Sequence, residues 1–108
     1  MPFTVLMTQH ASRDLEELYD YIALNDAPGK AEQVLARIEK VFGSLSETPQ
    51  RGACPRELLA MGIREFRELF FKPYRIIYRV VGRNVHVLLI ADGRRDFQML
   101  LQRRLLEG

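Results

Sequence analysis

A chain of 108 residues has room for one small domain, and with 47% apolar residues it can bury a core, which excludes a disordered chain. The single cysteine, Cys54, excludes an intrachain disulfide framework, and no apolar run approaches the about 18 residues of a membrane-spanning helix. The net charge of +2 hides a division: residues 1–50 carry four basic and eight acidic side chains, residues 51–108 twelve basic and six acidic, so the halves stand at −4 and +6. Eleven of the twelve late basic residues are Arg and the other is Lys72, an asymmetry that points to an acidic partner. Met1-Pro2-Phe3-Thr4 has no basic segment ahead of an apolar run, so a cytoplasmic location is expected and a secretory signal is not. His10, His86 and Cys54 show no zinc-type spacing, and the seven glycines are scattered singly. Neither a metal, a cofactor nor a membrane is therefore expected.

In chain order, Phe3–Thr8 reads as a strand because it is rich in β-branched and apolar residues. Ser12 is the expected N-cap of a helix whose apolar face is Leu15, Leu18, Tyr19, Ile22 and Ala23, with acidic residues placed early, where the helix dipole favours them. Asn25–Gly29 breaks the pattern. Asp26 is the expected cap of a second helix, with Pro28 in its first turn and Ala31, Val34, Leu35, Ile38, Phe42 and Leu45 on its apolar face. Two amphipathic helices on so short a link predict an antiparallel hairpin. Thr48–Pro55 is loop, and Leu58–Met61 a short turn or helix. Arg64–Phe71, Tyr74–Val81 and Val85–Ile90 read as strands, punctuated by Lys72-Pro73 and Gly82-Arg83-Asn84. Asp96 is placed to cap a last helix carrying Phe97, Leu100, Leu101 and Leu105.

The order β-α-α-β-β-β-α predicts an α+β fold occupying residues 1–108 as a single domain. Its parts are a small antiparallel sheet of about four strands, an N-terminal α-helical hairpin packed against it, and a C-terminal helix. One sheet face is expected to be less covered and to carry part of the arginine load.

Arg64, Arg67, Arg75 and Arg79 fall on elements expected to lie side by side. Tyr74 and Tyr78 stand on the opposite parity from Arg75 and Arg79. Arginine matches phosphate and carboxylate with paired hydrogen bonds, so a cluster beside aromatics suits nucleic acid or an acidic peptide. The bland alternative is that these arginines pair with Glu65, Glu68 and the acidic helices. Arg94 and Arg95 form a second basic group before the last helix, whereas Arg103 and Arg104 suit its C-terminal dipole. His86, Asp92 and a tyrosine are the candidates for acid–base work, but no carboxylate pair, Ser-His-Asp set or metal cluster stands out.

Several motifs together resemble one family. They are Asp14-Leu15 with Tyr19 and Tyr21-Ile22; Leu45 with Pro49 and Gly52; Gly62-Ile63-Arg64; Pro73-Tyr74-Arg75-Ile76-Ile77-Tyr78-Arg79; and Gly93-Arg94-Arg95-Asp96. The ordered set is similar to the RelE/ParE superfamily of type II toxins, on the ParE (plasmid-stabilisation) side. The resemblance implies a small sheet with an N-terminal helical hairpin. It also implies a toxin neutralised in a hetero-oligomer by a cognate antitoxin with an acidic C-terminal segment, and DNA gyrase as the target. The residues expected to contact partners are Arg64, Arg67, Tyr74, Arg75, Tyr78, Arg79, Arg94 and Arg95. The alternative it implies is a RelE-like, ribosome-dependent mRNA endonuclease using Arg64, Lys72, Arg75 and Arg79. Asp92 standing where His is common, and the shortage of lysine in the sheet, tell against that alternative. A non-toxic binding module is the third reading.

Overall fold

The computed structural model describes residues 2–107; Met1 and Gly108, the ends of the expected domain, lie outside them. The elements are β1 (Thr4–Met7), α1 (Gln9–Asn25), α2 (Lys30–Glu47), a 3-10 turn at Pro49–Arg51, α3 (Arg56–Leu59), β2 (Arg67–Phe71), β3 (Tyr74–Val81), β4 (Asn84–Asp92) and α4 (Phe97–Glu107). The expected element order holds, and α3 occupies the segment read as a short turn or helix.

Two helix starts differ from expectation. Thr8, not Ser12, caps α1: its Oγ1 accepts from the Ala11 amide at 3.1 Å. The Thr8 amide is itself bound to the Val87 carbonyl at 3.1 Å, so the chain leaves the sheet and enters the helix at one residue. Starting there, α1 has no acidic residue in its first turn, and the expected dipole contribution falls away. Asp26 closes α1 instead of opening α2, its amide bonded to the Ile22 carbonyl at 2.9 Å. The N-cap of α2 is Gly29, in the left-handed region at φ 86°, where a Cβ would be strained. The Tyr19 hydroxyl donates to Glu32 Oε1 at 2.6 Å and ties the two helices of the hairpin together.

The sheet runs β1-β4-β3-β2. β2, β3 and β4 are antiparallel neighbours, as their tight connections require. β1 lies parallel to β4, so the sheet is mixed. No tight turn joins that pair: the chain passes through the hairpin and two other strands between them. At Ile77/Tyr78 the β3–β4 register slips, with Ile77 opposite Leu89 but Tyr78 opposite Val87, which makes Leu88 an extra residue. The bulge puts Ile90 on the same face as Val85 and Val87, and β4 is apolar on both faces because both are covered. Val85, Val87 and Ile90 pack with Ile22, Val34, Ile38 and Leu45 under the hairpin. Leu88, Leu89 and Ala91 pack on the other side with Leu58 of α3 and Phe97 and Leu101 of α4. The second face is therefore covered over its central part, while the end carrying Arg79 and Val81, and Phe70 on β2, stay exposed.

β1 stops at Met7 while β4 continues to Asp92, which leaves a stretch of the β4 edge without a strand partner. Two side chains occupy it. Asp14 Oδ2 accepts from the Ile90 amide at 3.0 Å, and Arg104 Nη1 donates to the Leu88 carbonyl at 2.7 Å. The same groups pair with each other, Nη1–Oδ2 at 2.7 Å and Nη2–Oδ1 at 2.8 Å. Asp14 and Arg104 thereby complete the sheet edge and hold α1 and α4 together across it.

Candidate functional site

The structure sorts the sequence-predicted site residues into those held inside and those available at the surface. Arg75 is held inside. It stands on the α3–α4 face of β3, 6% exposed, between Glu57 of α3 and Glu68 of β2. Its Nη1 and Nη2 donate to Glu57 at 2.8 and 2.9 Å, and its Nε and Nη2 to Glu68, both at 3.0 Å. The guanidinium carbon lies 4.0 Å from the Phe97 ring centroid and 5.4 Å from that of Phe70. One side chain thus joins α3, β2, β3 and α4. The hydrogen bonds from Arg75 hold the Glu57 carboxyl below the usual carboxylate range. Those same bonds, Glu57 first, raise Arg75 further above its already high value. The donors of Arg75, expected to contact a partner, are spent inside the protein, with two carboxylates against its one charge.

Tyr78, also expected to contact a partner, is likewise held inside. It is fully buried on the hairpin face, donating to the Pro49 carbonyl at 2.7 Å and accepting from the Gly52 amide at 3.0 Å. Burial pushes its phenol up. A Cβ at Gly52 would lie 2.5 Å from the Tyr78 hydroxyl and 2.6 Å from the Glu68 carbonyl oxygen, so glycine is required for the loop to approach. Arg67 serves the same loop from the first position of β2, its Nη1 donating to the carbonyls of Gln50 at 3.1 Å and Gly52 at 2.7 Å.

The remaining residues are at the surface but dispersed. Arg64 lies outside β2, exposed in the connection from α3, because the strand begins only at Arg67. Arg79 is exposed on β3, 5.9 Å from the Phe66 ring centroid, and helps line a groove of about 440 Å³ with Val81, His86 and Leu105. Arg67 sits directly opposite Tyr78, and side chains opposite one another share a face. It is therefore on the hairpin side, while Arg75 and Arg79 are on the other. The four sheet arginines do not form one cluster. The bland expectation of pairing with nearby acids holds for Arg75 with Glu68.

A second depression, about 590 Å³, lies between α1 and the ends of β3 and β4. Tyr21, Tyr74, Asp92, Arg94 and Arg95 line it. Asp92 accepts from Arg94 Nη2 at 2.6 Å and Nε at 3.0 Å, and these bonds hold its carboxyl below the usual range. Tyr74 is raised by burial first and by the Asp92 charge second. Its ring lies 5.3 Å from that of Phe71. This groove does bring together three predicted contacts, Tyr74, Arg94 and Arg95.

Sequence reasoning missed Glu57, Asp14 and the real role of Arg104. Only a faint signal marked Glu57, an acid just past Pro55 in an otherwise basic half. Asp14 and Arg104 are 90 positions apart, and no local pattern connects them.

The chain and its fold have counterparts among known proteins. The model of the family described as ParE toxin of type II toxin-antitoxin system, parDE, matches residues 5–97. The chain belongs to the ParE toxin family. It is 34% identical over 100 residues to Toxin ParE3 of Caulobacter vibrioides, covering 93% of this chain and 96% of that one. Among solved structures, it is similar to a chain of the chromosomal ParDE toxin–antitoxin system of P. aeruginosa. The TM-score there is 0.67 at 23% identity, over 83% of this chain and 95% of that one. A chain of the RelBE2 toxin–antitoxin complex of Mycobacterium tuberculosis gives 0.59 at 28% identity, over 85% and 92%. A RelE variant from E. coli in the free state gives 0.62 at 14% identity, over 95% and 98%, and shows the shared fold alone. Membership makes this chain a ParE-like toxin of a type II toxin–antitoxin system. No helix among its described residues is long and apolar enough to cross a membrane.

Proposed function

We propose that this single-domain toxin acts in the cytoplasm by binding and inhibiting DNA gyrase. In this reading a cognate antitoxin with an acidic C-terminal segment holds it inactive in a hetero-oligomer. The family match across residues 5–97 carries the reading. The placement of the basic residues supports a binder over an mRNA endonuclease. Charge stabilisation of a reacting phosphate needs cations converging on one point. Here Arg75 is neutralised by Glu57 and Glu68, Arg79 lines a groove beside His86, and Lys72 is exposed at the β2–β3 turn. The exposed Arg95, beside Tyr74, is available for charge-assisted bonds to antitoxin carboxylates, while Arg94 next to it is exposed but paired with Asp92.

A supercoiling assay with purified gyrase tests the reading. Inhibition by micromolar toxin, relieved by stoichiometric antitoxin, is the expected result. Unimpaired supercoiling together with ribosome-dependent cleavage of a reporter mRNA would replace it with the endonuclease reading. Normal growth on expression without antitoxin would leave the non-toxic module.

A further inference from the structure

Phe70 is the largest exposed aromatic of the sheet, 61% exposed on an otherwise well-packed strand. It faces the α3–α4 side of β2, at the rim of an open depression of about 650 Å³ whose walls include Cys54, Arg56, Lys72 and Arg94. The Arg75 guanidinium lies 5.4 Å from its ring centroid and is itself held by the hydrogen bonds to Glu57 and Glu68. Arg56 and Lys72 have no ion pair among the described residues. An exposed aromatic at the rim of a depression that also holds two cations without an ion pair, Arg56 and Lys72, has the composition of a protein-binding hot spot, where most of the energy comes from a few anchors.

We infer that this depression is the surface by which the toxin grips its target, through an acidic, folded protein surface that presents carboxylates around an apolar side chain. The inference rests on the toxin reading above and adds the contact residues to it. Three observations select this occupant. The unpaired cations call for carboxylates. Glu68 also lines the depression, and the Asp92–Arg94 pair stands at its edge, so the field does not suit the continuous negative charge of a nucleic-acid backbone. An extended antitoxin tail adding as a strand is obstructed. The outer edge of β2 is already engaged at Glu68, whose amide donates to the Ala53 carbonyl at 2.8 Å in an antiparallel bridge with the preceding loop. A preformed hollow of this kind fits a folded partner that changes shape little on docking.

The test compares the wild type with Phe70→Ser and Lys72→Glu chains, each co-expressed with antitoxin and then induced alone. Because both side chains are exposed, the thermal midpoint stays within a few degrees of wild type. Growth arrest weakens by at least about tenfold in the dose needed, while antitoxin affinity stays within about threefold. Unchanged growth arrest by both variants overturns the inference. So does a tenfold loss of antitoxin affinity with arrest intact, which would assign the surface to the antitoxin. DNA retained by the wild type without any protein target, and released by Lys72→Glu, would also overturn it. The growth readout does not depend on which target is hit. Arrest lost in the variants while gyrase is unaffected by wild type keeps the surface and removes only gyrase, whereas a wild type that never arrests growth removes both.

Discussion

Arg75→Met removes the one cation that Glu57 and Glu68 share. The side chains of Arg75, Glu68 and Glu57 are 7%, 7% and 15% exposed, so water has little access to replace the lost donors. Removing one partner from a buried pair costs about 3–5 kcal/mol, because the charge left behind is uncompensated. That is a large share of the about 5–15 kcal/mol that holds a small domain folded. For a chain of this size the thermal midpoint falls on the order of 20 °C. The pH dependence supplies a sharper signature. In the wild type Arg75 depresses the Glu57 carboxyl below its ordinary value of 4.5. A carboxyl depressed in the folded state contributes stability above its unfolded value and loses that contribution as pH falls through the folded one. In Arg75→Met the same carboxyl faces Glu68 across a half-dry space with no cation between them. Burial and like charge then raise it, and a raised carboxyl opposes folding at neutral pH until it is protonated. The urea midpoint of the variant should therefore rise on going from about pH 7 to about pH 5, where that of the wild type is nearly flat. Urea titrations followed by circular dichroism at several pH values read both effects. A variant within about 1 kcal/mol of wild type, or one whose stability falls in parallel with wild type over that range, would refute the reasoning.

Other perturbations address other joints of the fold. Asp14→Ala leaves the Ile90 amide without its acceptor and the Arg104 guanidinium with only the Leu88 carbonyl and the exposed Glu107 in place of its buried carboxylate, a loss of about 2–4 kcal/mol. Hydrogen exchange should quicken at the Ile90 amide, and an unchanged exchange rate there would count against the edge clamp. In a double-mutant cycle with Arg104→Met the two losses should fall short of additivity by about 1 kcal/mol or more, and simple additivity would show that the pair does not act as one unit. Tyr78→Phe strands the buried Gly52 amide and costs about 1–3 kcal/mol by denaturant titration; no measurable loss would mean that the loop finds another acceptor. Gly52→Ala forces a methyl against the Tyr78 hydroxyl and the Glu68 backbone and should cost at least about 1–3 kcal/mol, with an undisturbed melting curve as the contrary result.

Much of the fold was legible because hydrophobic period is a local property. β3 was bounded at Tyr74–Val81 in the sequence, as it is in the structure. Asp96 was placed at the start of α4, and its Oδ1 does accept from the Met99 amide at 3.1 Å. The helix starts were less legible because several residues compete to cap. Thr8 prevailed over Ser12 through its bond to Val87, a partner nearly 80 positions away. β2 was read three residues too long, since the alternation of Arg64–Glu65–Phe66 satisfies a strand pattern but finds no neighbour to pair with.

The candidate site was legible in kind and not in membership. Charge and motif order identified a ParE-like toxin with arginines to spare, and these depend only on which residues are present. Which arginines are spare depends on what stands opposite each one. Arg75 and Arg94 look alike in the sequence, but the first lies between two carboxylates beneath α4 and the second stands exposed beside Asp92. The division into a −4 and a +6 half belongs to composition and survives folding. The pairing that neutralises part of it is decided in three dimensions, because a Coulomb contact a few ångströms long joins residues such as Asp14 and Arg104 that the chain holds 90 positions apart.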